Sequence, residues 1–167
     1  MSNKKIAYTG LFVALAFVFS YVEFLMPISI GIPGVKLGLA NLVVIAAIYT
    51  IGEKDALLLS VIRIVLVALT FGNFANLIYS IVGGLLSFGV MVLAKKTGHF
   101  SVIGVSTLGG VFHNVGQILV AMLLLETSKL IYYLPVLIIA GTVSGVLIGI
   151  LGGMVTVRIQ RSLQGCF

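Results

Sequence analysis

Apolar and polar positions in this chain come in blocks, not in alternation. Long apolar runs cover about 6–26, 37–51, 56–71, 74–94, 102–125 and 131–157. Short polar or Gly/Pro-rich breaks separate them: residues 27–36, Glu53-Lys54-Asp55, Gly72-Asn73, Lys95-Lys96 and residues 126–129, with Arg158 and Arg161 after the last run. A helix needs about 20 apolar residues to cross a bilayer core. The dyad alternation of a membrane barrel is absent. The pattern predicts an all-α polytopic integral membrane bundle of about six transmembrane helices, forming one transmembrane domain over residues 1–167. The second run is short, and a re-entrant segment there would leave five spans.

Composition reinforces this reading. The chain is 60% hydrophobic and 8% charged, whereas soluble domains carry about a quarter charged residues. A surface so poor in charge is built for lipid. The net charge is +6, but no basic–aromatic stripe accompanies it, and the basic residues sit at span ends. That distribution points to topology and anionic lipid, and nucleic acid is not an expected partner. With both termini inside, Lys4, Lys5, Lys54, Lys95, Lys96, Arg158 and Arg161 all lie inside, while Lys36 and Lys129 lie outside. The positive-inside rule therefore predicts a bacterial cytoplasmic (inner) membrane protein with cytoplasmic termini. The first apolar run, behind Lys4 and Lys5, is long and lacks an A-x-A cleavage site, so it is expected to be retained as a span.

Small residues mark helix contacts. The sixth run carries Gly141, Gly145, Gly149 and Gly153 at four-residue spacing, a smooth stripe that lets another backbone approach. The first run carries Gly10-x-x-x-Ala14 and Ala16-x-x-x-Ser20, and the fourth Ser80, Gly83, Gly84 and Ser87. Each stripe admits two readings: packing inside the bundle, or a docking face for a second membrane protein. The candidate docking residues are Gly10, Ala14, Gly141, Gly145 and Gly149.

Polar side chains are costly in lipid and become functional candidates there. Arg63 lies midway along the third run and cannot lose its proton. It must face a partner, a water-filled cavity or an anionic ligand. The chain has four acids, Glu23, Glu53, Asp55 and Glu126. Of these Glu23, at the outer end of the first span, is the nearest candidate partner, though offset. His113 and Gln117 are i, i+4 on one helix face, with Asn114 beside them. Lys36, Asn41, Asn73, Asn76 and Ser80 fall in the outer half. The expected arrangement is a polar cavity opening outward, floored by Arg63 and His113, with residues 27–36 as a possible lid. The ligand-binding candidates are Lys36, Asn41, Arg63, Asn73, His113, Asn114 and Gln117. The alternative is a structural set: an internal ion pair, and a histidine bonded within the core.

Several chemistries are missing from the sequence. No P-loop, C-x-x-C or H-E-x-x-H occurs, and Cys166 is the sole cysteine. Asp55 is the sole aspartate, so the paired-aspartate magnesium sites that neutralise pyrophosphate cannot be built from this chain. No Ser/His/Asp triad is available. Neither catalysis nor a metal or other cofactor is expected.

Specific segments carry a family resemblance: residues 33–41 (Pro-Gly-Val-Lys-Leu-Gly-Leu-Ala-Asn), Val61-Ile62-Arg63 followed by Phe71-Gly72-Asn73, Gly83-Gly84-Leu85-Leu86-Ser87, and Phe112-His113-Asn114-Val115-Gly116-Gln117. Together they resemble the bacterial membrane family known as "Gx transporter" or heptaprenyl diphosphate synthase component I, over nearly the whole chain. The architecture is also similar to the substrate-binding S components of energy-coupling factor (ECF) transporters. That resemblance implies six helices, an outward pocket with a lid between the first two, and a small-residue face on the first helix. This face docks on a transmembrane coupling subunit working with ATPases, and Gly10-x-x-x-Ala14 stands where alanines spaced by four are usual. The first expectation is thus a transport subunit capturing a small anionic or amphipathic molecule from the outer face. Association of the family with quinone synthesis and flavin-based extracellular electron transfer implies a second, a quinone- or isoprenoid-handling subunit. A third is an assembly subunit without a small ligand, resting on the glycine stripe.

Overall fold

The computed structural model describes residues 3–25 and 38–164, with side chains over 7–25 and 38–161. Six α-helices make up most of it: α1 (Asn3–Leu25), α2 (Leu39–Thr50), α3 (Glu53–Thr70), α4 (Phe74–Thr97), α5 (Val102–Leu124) and α6 (Leu134–Gln164). A 3-10 helix, Ser128–Tyr133, leads into α6. No strand occurs among the described residues, so the all-helical expectation holds.

Local chemistry explains the helix ends. Asn73 caps α4 by accepting from Asn76 N at 2.8 Å, and Ser101 caps α5 by accepting from Gly104 N at 3.3 Å; each satisfies one otherwise orphaned amide. Glu53 and Asp55 lie in the first turn of α3, and Lys95 and Lys96 in the last turn of α4, signs that offset the helix dipole. Gly98 ends α4 at φ 70°, a left-handed conformation that glycine adopts without steric cost. Pro135 occupies the first turn of α6, where its missing N–H leaves no intrahelical bond unmade.

By length and composition, helices over Ala7–Leu25, Phe74–Thr97, Val102–Leu124 and Ser128–Arg161 suffice to cross a membrane. Their outward faces are apolar: Leu11, Leu93, Leu123, Leu147 and Met154 are all exposed, as lipid contact requires. The other two helices differ from these. Helix α3 carries Glu53, Lys54, Asp55 and Arg63. Helix α2 has 12 residues and so rises about 18 Å, less than the roughly 30 Å hydrocarbon core. It is also the most enclosed element: Val43, Val44, Ile45, Ala46, Ala47 and Ile48 are all buried. A helix apolar on every side belongs in a core, and α2 packs against α1, α3 and α6.

The other half of the bundle is organised by α5, which lies against both α4 and α6. Glycines set both contacts. A Cβ on Gly141 would come 2.8 Å from Gly110 O, one on Gly145 2.6 Å from Thr107 Cα, and one on Gly149 2.7 Å from Ile103 Cα. The stripe on α6 therefore faces α5, and Gly141, Gly145 and Gly149 are spent inside the bundle. As a docking face for another protein, these three residues are not free. Across α5, Gly116 meets Gly83 on α4 backbone to backbone, with a Cβ on Gly116 2.8 Å from Gly83 Cα. Gly10, by contrast, has nothing within 4 Å of a Cβ position, and Ala14 is exposed. That face of α1 remains outward.

One end of the bundle is tied by charge. Lys96 Nζ lies 3.2 Å from Glu53 Oε2, and Lys95 Nζ 3.9 Å from Glu53 Oε1. Lys95 also donates to Ile48 O at 2.7 Å and sits 5.1 Å from the centroid of the Tyr49 ring. These contacts join the C-terminal ends of α2 and α4 to the start of α3.

The packing makes a contrast between glycines. Gly145→Leu must displace the α5 backbone and should cost about 1–3 kcal/mol or more. Gly89, with open space around its Cβ position, should tolerate alanine with no loss and a gain of up to about 1 kcal/mol from helix propensity. Thermal unfolding of the purified variants in mild detergent checks this. Equal tolerance at both positions would reject the α5–α6 contact.

Candidate functional site

At the end of the bundle opposite the Lys95–Glu53 cluster lies a cavity of about 150 Å³. Helix α1 contributes Ser20 and Glu23, α2 Asn41, α3 Arg63, α4 Asn76 and Ser80, α5 His113, Asn114 and Gln117, and α6 Ser144. Five candidates from three helices, Asn41, Arg63, His113, Asn114 and Gln117, thus converge on one space. Two do not join them. Asn73 is consumed as the α4 cap. Lys36 and the connection 27–36, expected as a lid, lie outside the described residues.

Arg63 enters from the middle of α3. Its Nη1 donates to Ser20 Oγ at 3.4 Å, and Ser20 in turn donates to Ala16 O at 2.8 Å. Its Nε is buried with no hydrogen-bond partner. A buried, ionised donor left unsatisfied is expensive, so Arg63, which lines the cavity, retains unmet bonding capacity. Glu23 lies near enough for its charge to act on Arg63. Its carboxylate is itself engaged, with Oε1 accepting from Gly38 N at 2.6 Å. Gly38 stands immediately before α2 at φ 76°, so Glu23 places negative charge at the positive end of that helix. The acid serves two neighbours, and Arg63 is not locked in a bidentate pair with it.

The polar face of α5 is held by its neighbours. Asn114 is buried, and its Nδ2 donates to Leu137 O on α6 at 2.8 Å. That fixes the rotation of α5 relative to α6. On the other side, a Cβ on Gly83 would come 2.9 Å from both Gln117 Cγ and His113 O. Gly83 therefore lets the His113–Gln117 face press against α4, and His113 Nδ1 is buried there. Two aromatics, Phe24 and Phe71, line the cavity, and Phe71 lies between 5.1 and 5.6 Å, centroid to centroid, from Phe24, Phe17 and Tyr21.

Sequence reasoning missed several parts of the site. Ser20 stood out only as a small residue on α1, yet it carries the hydrogen bond to Arg63. Gly83 stood out only as part of a packing stripe, yet it seats His113 and Gln117. Among the described residues no group of three or more His, Cys, Asp or Glu side chains is placed to hold a metal ion. The arrangement offers instead one fixed positive charge and several neutral donors and acceptors. It suits recognition of an oxyanion, which a guanidinium can hold through two parallel hydrogen bonds.

A family model described as "Heptaprenyl diphosphate synthase component I" matches residues 12–155. That stretch includes every cavity residue named above, and the chain belongs to this family. No curated protein and no solved structure matches the chain.

Asn114 both lines the cavity and holds the framework, whereas the side chain of Asn76 lines the cavity at an exposed position. Asn114→Leu should lower stability by about 1 kcal/mol or somewhat more, because the buried Leu137 carbonyl loses its donor. Asn76→Ala, at an exposed position, should leave stability within about 0.5 kcal/mol of wild type. Unfolding midpoints of the two variants in the same detergent provide the check.

Proposed function

We propose, from its membership of the heptaprenyl diphosphate synthase component I family, that this chain is a membrane-embedded binding subunit holding a small anionic or amphipathic molecule. The observation that carries the proposal is the Arg63 guanidinium, whose buried Nε has no partner and which lines a cavity with Asn41, His113 and Gln117. Arg63 takes the negative charge. Asn41, His113, Asn114 and Gln117 orient the remainder by hydrogen bonds. The chain itself supplies no catalytic group and acts by binding.

The proposed setting is the bacterial cytoplasmic membrane, with cytoplasmic termini and the cavity opening outward, as the distribution of basic residues favours. In the transport reading, an ECF-type coupling subunit with its ATPases docks on the chain. The outward Gly10–Ala14 face of α1 supports this. A second reading draws on the family description itself. The chain would handle a quinone or isoprenoid for a prenyl diphosphate synthase or an electron-transfer complex, with the catalytic metal chemistry on another subunit. The two readings share the cavity and differ in the partner.

Inorganic phosphate and pyrophosphate should raise the unfolding midpoint of the wild type and leave that of Arg63→Gln unchanged. Circular dichroism checks that the variant retains its helices. Equal shifts in both proteins would reject Arg63 as the anion site. For the second reading, organic extraction of the purified protein followed by chromatography should show a quinone or isoprenoid peak, and its absence counts against that reading.

A further inference from the structure

A second hollow adjoins the first. It has a volume of about 460 Å³ and runs along the outer part of α4 and α5 beneath the 3-10 helix. Its walls are largely apolar: Ile118 and Ala121 from α5, Leu125 at its C-terminal cap, Leu130 and Tyr133 from the 3-10 helix, and Leu137 from α6. Residues 118, 121 and 125 recur at i, i+3 and i+7, so they continue one face of α5 through its cap. The two hollows share three lining residues, Asn76, Ser80 and Gln117. Polar side chains on the wall of an apolar, lipid-side groove are costly unless something polar passes them. Here they form the junction between the groove and the Arg63 cavity.

Resting on the binding-subunit reading above, we infer that the two hollows are the halves of one site for a single-chain amphiphile. Its oxyanion head sits at Arg63 and its apolar chain lies in the groove between α4, α5 and the 3-10 helix. Charge and polarity assign the two ends. Among the described residues, Arg63 is the one cationic side chain lining either hollow. The head takes its unmet bonding capacity, and the groove offers the tail aliphatic and aromatic walls. One chain runs along the groove and past Asn76, Ser80 and Gln117, which line both spaces, to the Arg63 cavity.

The groove also sets the route. Its margin is open on the outside of the bundle, where the lining residues Leu125 and Tyr133 are exposed. The amphiphile slides in from the outer leaflet with its tail still in an apolar medium. Moving a tail from lipid to groove gains little by itself, since neither side is water. The groove therefore supplies orientation and access, while discrimination resides in the head. An equally long neutral alcohol lacks the charge-assisted bonds and should bind at least about tenfold more weakly.

The test uses the full chain in phosphatidylcholine nanodiscs with dodecyl phosphate carrying a diazirine at the chain end. After illumination, labelled peptides are mapped by mass spectrometry. Label should concentrate within residues 118–137, fall about tenfold or more in Arg63→Gln, and be displaced by excess unmodified dodecyl phosphate but not by dodecanol. The competition arm needs no variant, so it stands even where Arg63→Gln folds poorly. Label confined to outward residues such as Leu93 and Leu147, and indifferent to competitor, overturns the inference. If phosphate still stabilises the wild type through Arg63 in that case, the cavity reading survives and only the bipartite site falls. If phosphate fails as well, both fall. Displacement by diacyl phosphatidic acid as effective as that by dodecyl phosphate marks a resident lipid and overturns the single-chain assignment.

Discussion

An arginine side chain cannot discard its proton to escape a poor solvent, so a bundle surrounded by lipid must build an environment around it. In this fold that requirement reaches most elements. Ser20 on α1 turns its hydroxyl toward Ala16 O and offers its lone pair to Arg63. Glu23, one turn further on, shares its charge between Arg63 and the amide of Gly38 at the start of α2. Helices α4 and α5 bring neutral polar groups to the same space. The guanidinium still keeps a buried donor unmet, and this is the feature that makes the cavity read as a receptor.

Holding polar groups in one place inside lipid depends on close backbone contact, because water is not there to drive helices together. Gly141, Gly145 and Gly149 bring α6 against α5, while Gly83 and Gly116 bring α5 against α4. The Asn114–Leu137 bond then fixes how α5 is rotated, so that His113 and Gln117 face the cavity. The small residues determine where the polar ones point, linking packing directly to recognition. Beneath the cavity, the enclosed α2 and the lysine–glutamate cluster at the far end hold the remaining helices in place.

Much of this was legible in the chain. Blocks of apolar residues read as six helices, and Arg63 stood out because a charge within such a block has no ordinary explanation. The polar trio 113, 114 and 117 stood out for the same reason. Two things were hidden. Helix α2 looked like a short span, and its enclosure depends on what surrounds it, which hydropathy along the chain cannot register. Spacing also cannot say which of two uses a glycine stripe serves, and that on α6 proved to be internal. Asn73 looked like a ligand-binding side chain because Asn in an outer break is ambiguous. Its geometry is that of a helix cap, a role that Asn fills readily.

The account's central claim is that Arg63 holds the negative charge of a bound molecule within the membrane. Native mass spectrometry of the wild type, purified in mild detergent without added ligand, tests it most directly when run beside Arg63→Gln. The account predicts a small anionic or amphipathic adduct on the wild type that is missing from the variant. A wild-type chain that flies bare, or an adduct equally retained by the variant, would contradict it.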